Sequence, residues 1–188
     1  IQVSGLGVSG GWNPNIHLTC HQRGRPEWDA ALSAFVPSSD LPKALYVAGA
    51  ANGKMTTAVA MHDAVTTAIK IAKDCGRKPK SLPVPKTSDE SASVTPFWYV
   101  TGTERGWVDQ QNDVTVKDIK LAHQENFRSV EHLKRYTTLG MATDQGKTSN
   151  VLGLAIMAHT AGQSIPDTGT TIYRPPYTPT AIGVFAGR

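Results

Sequence analysis

Ser129–Ser149, SVEHLKRYTTLGMATDQGKTS, decides how the rest of the chain is read. Its first half places apolar residues at Val130, Leu133 and Tyr136, the repeat of a short amphipathic helix, with Ser129 positioned to cap it. Its second half, GMATDQGKTS, is punctuated by Gly140 and Gly146 and carries an amide, a lysine and three hydroxyl residues within ten positions. Such a loop can present backbone N–H groups and a cation to a phosphate or another anion. The stretch from Gly140 to Gly146-Lys147-Thr148 is one residue too long for a Walker A loop, which removes that motif. The same residues equally suit a polar connection between helices with glycines as caps, and spacing alone does not choose.

Downstream of the loop, Ser149 or Asn150 is placed to cap a third helix. That helix carries Leu152, Ala155, Ile156 and His159 on one side and ends at Gly162. Upstream, DVTVKD (113–118) offers a capping box with Thr115 as N-cap and Asp118 three residues on. The helix behind it is expected to run to about Gln124 and to pack through Val116, Ile119, Leu121 and Ala122. Phe97-Trp98-Tyr99-Val100 is aromatic and strand-like. Residues 97–163 therefore read as a small helical domain of three short helices around one glycine loop. Residues 164–188, with Pro166, Pro175, Pro176 and Pro179, read as an extended segment lying over another surface. Residues 77–96 carry Pro79, Pro83 and Pro85 among lysines and serines, which makes them a linker.

Residues 1–76 have a different texture. A short apolar strand is expected at Ala44–Ala48, turning through Gly49 and Gly53 into a helix from about Lys54 to Cys75. Val59, Met61, Ala64, Val65, Ala68, Ile69 and Ala72 mark its buried side, and Gly76 its C′ position. A strand, glycine turn and helix N-terminus, with small residues at Ala50 and Ala51, make a plausible nucleotide site; a plain βα connection explains the same residues. Ile1–Ser9 leans towards β structure and contains a literal G-x-G-x-x-G at Gly5, Gly7 and Gly10. Gly11, Asn13 and Pro14 follow, so no helix opens at the last glycine, and the match is a decoy. His17-Leu18-Thr19-Cys20-His21 has atoms that suit zinc. In a strand, however, His17 and His21 share one face and Cys20 takes the other, and no further ligand is near. Strand histidines without a metal are the expectation.

Composition sets the outer bounds. At 188 residues, 39% hydrophobic and 18% charged, the chain suits one ordinary soluble domain or two small ones. The net charge of +4 comes without a basic run of the kind that tracks nucleic acid. Cys20 and Cys75 form neither a disulfide framework nor a cysteine zinc pattern. No apolar stretch approaches the ~20 residues of a membrane span, and no signal-like start appears, so a cytoplasmic setting is expected. Both ends read as cut from a longer protein.

The stretches SGGWNPNIHLTCHQRGRPEWDAALSAFVP, LYVAGAANG, WVDQQNDVTVKDIKLA and RSVEHLKRYTTLGMATDQGKTSN, with RPPYTP near the end, resemble the α subunit of heterotetrameric sarcosine oxidase. The resemblance covers essentially the whole chain and implies an α+β fold. Residues 1–76 would be the C-terminal half of a Rossmann-like nucleotide-binding domain, and a folate-binding domain that takes tetrahydrofolate would follow. It implies NAD bound tightly without turnover and carries its contacts onto Ala50, Met55 and Thr57. It also implies sarcosine oxidation at FAD in a β subunit, FMN at the α–β interface, γ and δ subunits, and no catalytic residue in this segment. The helical domain further resembles small ferredoxin-type [2Fe–2S] domains, with the four cysteine positions taken by Asp109, Gln111, Asp144 and Ser149. Without thiolates it holds no such cluster. Gln145, Lys147 and Thr148 would contact FMN instead. An opine- or proline-oxidising relative, or a non-catalytic docking module, are the alternatives. Neither nucleic acid nor membrane is expected as a partner.

Overall fold

Four helices and two hairpins carry the architecture seen in a computed structural model that describes residues 2–7, 10–80, 82–88, 90–102, 105–172 and 178–187. The expected features at Ile1, Val8, Ser9, Pro175 and Pro176 lie outside these residues. The fold is α+β. Helix α1 spans Thr57–Asp74, α2 Val116–Gln124, α3 Val130–Thr137, α4 Asn150–Ala161, and a single turn, α5, Ile165–Thr168. Strands β1 (Glu27–Asp29) and β2 (Ala34–Val36) form one antiparallel hairpin, and β3 (Trp107–Asp109) and β4 (Val114–Thr115) form another.

The helical half follows its capping chemistry. The Thr115 amide and hydroxyl both donate to Asp118 Oδ2 at 2.7 Å, starting α2 where the capping box predicts. Ser129 Oγ accepts the His132 amide and starts α3. Gly162, at φ 64°, ends α4. Helix α4 is apolar all round, with Leu154, Ala155, Ile156, Met157 and Ala158 buried, as befits a helix enclosed by its neighbours. Its Ile156 and Met157 join Ile119, Ala122, Leu133, Leu139 and the β3–β4 residues Val108 and Val114 in the main core. Its Leu154 packs instead with Ile16 and Phe35, so the first hairpin is anchored on the same helix.

Several expectations differ from the fold, each for a physical reason. His17–Thr19 is a 3₁₀ turn rather than a strand, because Thr19 folds both its amide and its hydroxyl back onto the Ile16 carbonyl. Ala44–Ala48 forms no strand. Ala44 sits at φ 64° within a turn, and the described residues pair no neighbour alongside it. Phe97–Val100 also lacks a ladder; Trp98 lies near Trp28 instead, and Tyr99 meets the His159 ring edge-on. Residues 2–7 are exposed and irregular. Pro166 does not extend the tail: it sits in the first turn of α5, where its missing N–H costs no hydrogen bond.

Helix α1 begins three residues later than Lys54 and ends as expected, with Gly76 at φ 71° and the Arg77 amide returning to the Ala72 carbonyl. Its expected buried side is not buried: no α1 residue is, and Val59 is about half exposed. The helix rests on the Gly49–Asn52 turn, where Asp63 accepts the Gly49 amide at 2.9 Å, and lies away from both apolar clusters.

Candidate functional site

The loop from Leu139 to Ser149 is fixed from two sides. Asp109, 3% exposed at the end of β3, is the first anchor. Its Oδ1 accepts the Gln111 and Asn112 amides at 2.9 and 3.2 Å. Its Oδ2 accepts the Gly140 amide at 2.8 Å, 31 positions away. Gln111 Oε1 then accepts Thr143 Oγ1 at 3.1 Å, tying the hairpin tip to the loop a second time. The other anchor is Asn150, whose side-chain amide lies between Gly140 and Gly146. Both glycines have positive φ, and a Cβ on either would overlap the Asn150 amide. The Asn150 Nδ2 donates to Thr171 Oγ1 at 2.8 Å.

Inside this frame the chain runs through successive turns: the Gln145 amide reaches the Ala142 carbonyl and the Asn150 amide the Gly146 carbonyl. Ser149 stands at the N-cap of α4 but does not cap it. Its backbone is αR (φ −112°, ψ −26°), whereas a capping side chain needs extended backbone to reach the amides ahead. Its Oγ is buried and has no hydrogen-bond partner. Asp144 organises the turn that follows, accepting the Gly146 amide at 3.0 Å and the Thr148 hydroxyl at 2.7 Å. Burial alone would raise the Asp144 carboxyl, but these bonds and the Lys147 charge bring it below its ordinary value.

Lys147 and Thr148 line a cavity of about 420 Å³, together with Trp12, Ile16, His17, Cys20 and Phe35. The 3₁₀ turn explains why His17 and Cys20 share this wall: residues three apart eclipse one another, reversing the strand expectation that would separate them. Desolvation lowers the His17 pKa to about 4, with the charges of Lys147 and His21 adding to the effect. At neutral pH the imidazole is uncharged and Lys147 supplies the cation. Burial pushes the Cys20 thiol up, so it is no ready nucleophile. Among the described residues no group of three metal-ligating side chains converges. A cation beside aromatic and aliphatic walls suits a flat anionic ligand rather than acid–base chemistry. Gln145, at φ 52°, is not part of this lining.

A second cavity, of about 380 Å³, carries Ala50, Met55 and Thr56 on one side and Glu90–Val94 on another. Thr57 lies beside it, and its amide and hydroxyl donate to the Glu90 carboxylate. Gly11, Trp12, Asn13 and Pro14 line both cavities, so one segment separates the two sets of expected cofactor residues. Sequence reasoning passed over Glu90, Trp12 and the tie from Asp109 to Gly140. Only the last had a local signature, the D-x-x-N turn at Asp109–Asn112; the others meet their partners from far along the chain.

Comparison with known proteins shows what this chain is similar to. Residues 103–188 match the family model described as the sarcosine oxidase A3 domain. The chain is 41% identical over 190 residues to the sarcosine oxidase subunit alpha of Rhizobium meliloti (strain 1021), covering all of this chain and 19% of that protein. It is 36% identical over 197 residues to the same subunit of Corynebacterium sp. (strain P-1), covering 97% of this chain and 20% of that protein. The chain thus spans about a fifth of the length of these relatives. In fold it resembles L-proline dehydrogenase from P. horikoshii, with a TM-score of 0.65 and 18% identity over 94% of this chain and 38% of that one. No described helix is long and apolar enough to cross a membrane.

Proposed function

We propose that this chain, related along its whole length to the α subunits of sarcosine oxidase, serves that oxidoreductase as a cofactor-framing segment and not as its amine-oxidising centre. In this reading residues 1–76 complete a Rossmann-like dinucleotide domain, 77–96 link it onward, and 97–163 form the cluster-less ferredoxin-type module. Residues 164–188 lead towards a folate-binding domain that takes tetrahydrofolate.

One observation carries the reading. Two cavities meet at the Gly11–Pro14 segment, one bearing Ala50 and Met55, the other Lys147 and Thr148. The first has room for part of a dinucleotide, with Ala50, Met55 and Thr57 as the NAD contacts. The second suits FMN at the interface with a β subunit. There Lys147 faces the anionic portion, Thr148 orients it, and Trp12, Ile16 and Phe35 offer surface to a flat ring system, while Gln145 lies outside this lining. FMN, when bound, supplies one- and two-electron transfer. This chain's part is to place it and to exclude water. The neutral His17 lets Lys147 act as the cavity's cation without a second charge competing for the same anion.

Oxidation of sarcosine at FAD in the β subunit, the further γ and δ subunits and a cytoplasmic setting complete the proposal. Lys147→Ala in the assembled enzyme tests it. FMN content is expected to fall at least severalfold while FAD content holds. FMN retained at the wild-type level would remove the flavin role of this loop.

A further inference from the structure

We propose that the segment Glu90–Val94 is a strap whose Glu90 carboxylate occupies the N-terminus of α1, so that the strap and a diphosphate-bearing dinucleotide exclude one another. The inference rests on the dinucleotide reading of Ala50, Met55 and Thr57. Glu90 reaches back 33 positions to Thr57, where Oε2 accepts the backbone amide at 3.2 Å and Oε1 accepts the hydroxyl at 2.8 Å. Thr57 opens an 18-residue helix that has no side-chain cap from Thr56 and no acidic residue in its first turn. A helix in that condition lacks both an acceptor for its leading amides and a charge to offset its positive end. The carboxylate from the linker supplies both.

The strap forms a wall of the cavity that carries Ala50, Met55 and Thr56, so the latch closes the same space that the dinucleotide reading fills. Thr57 is the shared residue. Its two donors are both taken by Glu90, and a phosphate oxygen arriving there needs at least one of them. Two anions on one pair of donors repel at contact distance, where little water separates them. Both Glu90 and Thr57 are exposed, so the released carboxylate regains its hydration and the latch opens at small cost. The linker therefore has a task beyond spacing: it holds the site closed by imitating the ligand's charge, and yields when the ligand arrives.

The test uses the full α subunit, stripped of dinucleotide and titrated with NAD, and separately with inorganic pyrophosphate. Glu90→Gln and Glu90→Ala are expected to bind both probes about three- to fivefold more tightly than wild type. In wild type, saturation with NAD is expected to raise backbone hydrogen exchange across residues 90–94 as the strap lifts. Unchanged or weaker binding by both variants, or a fall in exchange across 90–94, overturns the strap while leaving the dinucleotide reading in place. If neither wild type nor variants bind NAD or pyrophosphate, the dinucleotide reading fails and the strap fails with it.

Discussion

Two hairpins in this chain close with one device and end with different consequences. In the first, Asp29 Oδ1 accepts the amides of Ala31 and Leu32, and Ser33 takes a positive φ of 49°. In the second, Asp109 Oδ1 accepts the amides of Gln111 and Asn112, and Asp113 takes a φ of 54°. The aspartate, the two amides and the left-handed fourth residue recur at the same offsets. Only the second aspartate is buried, and only its other oxygen leaves the turn, to hold the Gly140 amide. A local turn motif thereby becomes the anchor of the loop carrying Lys147 and Thr148. The chemistry of the turn is common to both; what differs is whether a loop from elsewhere is brought within reach.

The largest expected effect tests that asymmetry directly. Asp109→Ala removes the acceptor of three backbone amides, those of Gln111, Asn112 and Gly140, while the Asn112 side chain keeps its bond to the Thr138 carbonyl. It should cost about 3 kcal/mol, the scale of breaking a buried hydrogen-bond network. Asp29→Ala, in a partly exposed turn, should cost about 1 kcal/mol. Chemical denaturation of the two variants reads the difference, and equal losses would mean that the reach to Gly140 contributes nothing.

Next comes the other side of the same loop. Gly146→Ala puts a Cβ at φ 74° and into the Asn150 amide, 2.5 Å from Cγ. Strain and displacement together should cost about 2 kcal/mol. Asn150→Ala in the same background removes the obstacle and should recover part of the loss, a coupling that a double-mutant cycle measures.

A smaller effect separates the hairpins by pH. Ile16, beside His17, packs on Phe35 of β2, so the histidine's titration bears on the first hairpin's anchorage. The folded-state pKa of His17 lies near 4, below the 6.5 of the unfolded chain. The unfolded state therefore binds the proton first, and stability is lost as pH falls from about 6.5 towards 4. His17→Gln should flatten that part of the stability profile. Lys147→Met should move the remaining midpoint upward, because it removes one of the charges that disfavour the imidazolium.

What the sequence discloses follows the range of the forces involved. Thr115 with Asp118, Ser129 and Gly162 act on backbone groups within a turn of themselves, and each appears in the fold where its spacing places it. The strand expected at Ala44–Ala48 needs a neighbour that the same stretch does not specify, and β propensity reports fit to a sheet rather than an intrinsic backbone preference. The apolar side expected for α1 fails similarly: periodicity marks which residues share a face, and burial depends on what reaches that face. At the candidate site, the sequence shows Lys147 and Thr148 as a cation and a hydroxyl on one loop, and the fold sets both in one cavity wall. That burial, and then the charge of Lys147, lowers the His17 pKa, or that Glu90 spans 33 residues to Thr57, is a product of the assembled chain and has no local trace.

The smallest prediction concerns the fourth residue of each turn. Asp113 is exposed at φ 54°, so Asp113→Gly relieves left-handed strain without disturbing packing. Glycine also enlarges the freedom of the unfolded chain, which opposes the gain by about 0.5–1 kcal/mol. Aspartate tolerates this region better than most residues, so the two effects should nearly cancel and stability should change by less than about 0.5 kcal/mol. Ser33 has no such tolerance, and Ser33→Gly should come out the more favourable of the pair. Were Asp113→Gly instead strongly destabilising, its carboxylate would have a partner outside the turn. The second hairpin would then depend on two aspartates rather than on Asp109 alone.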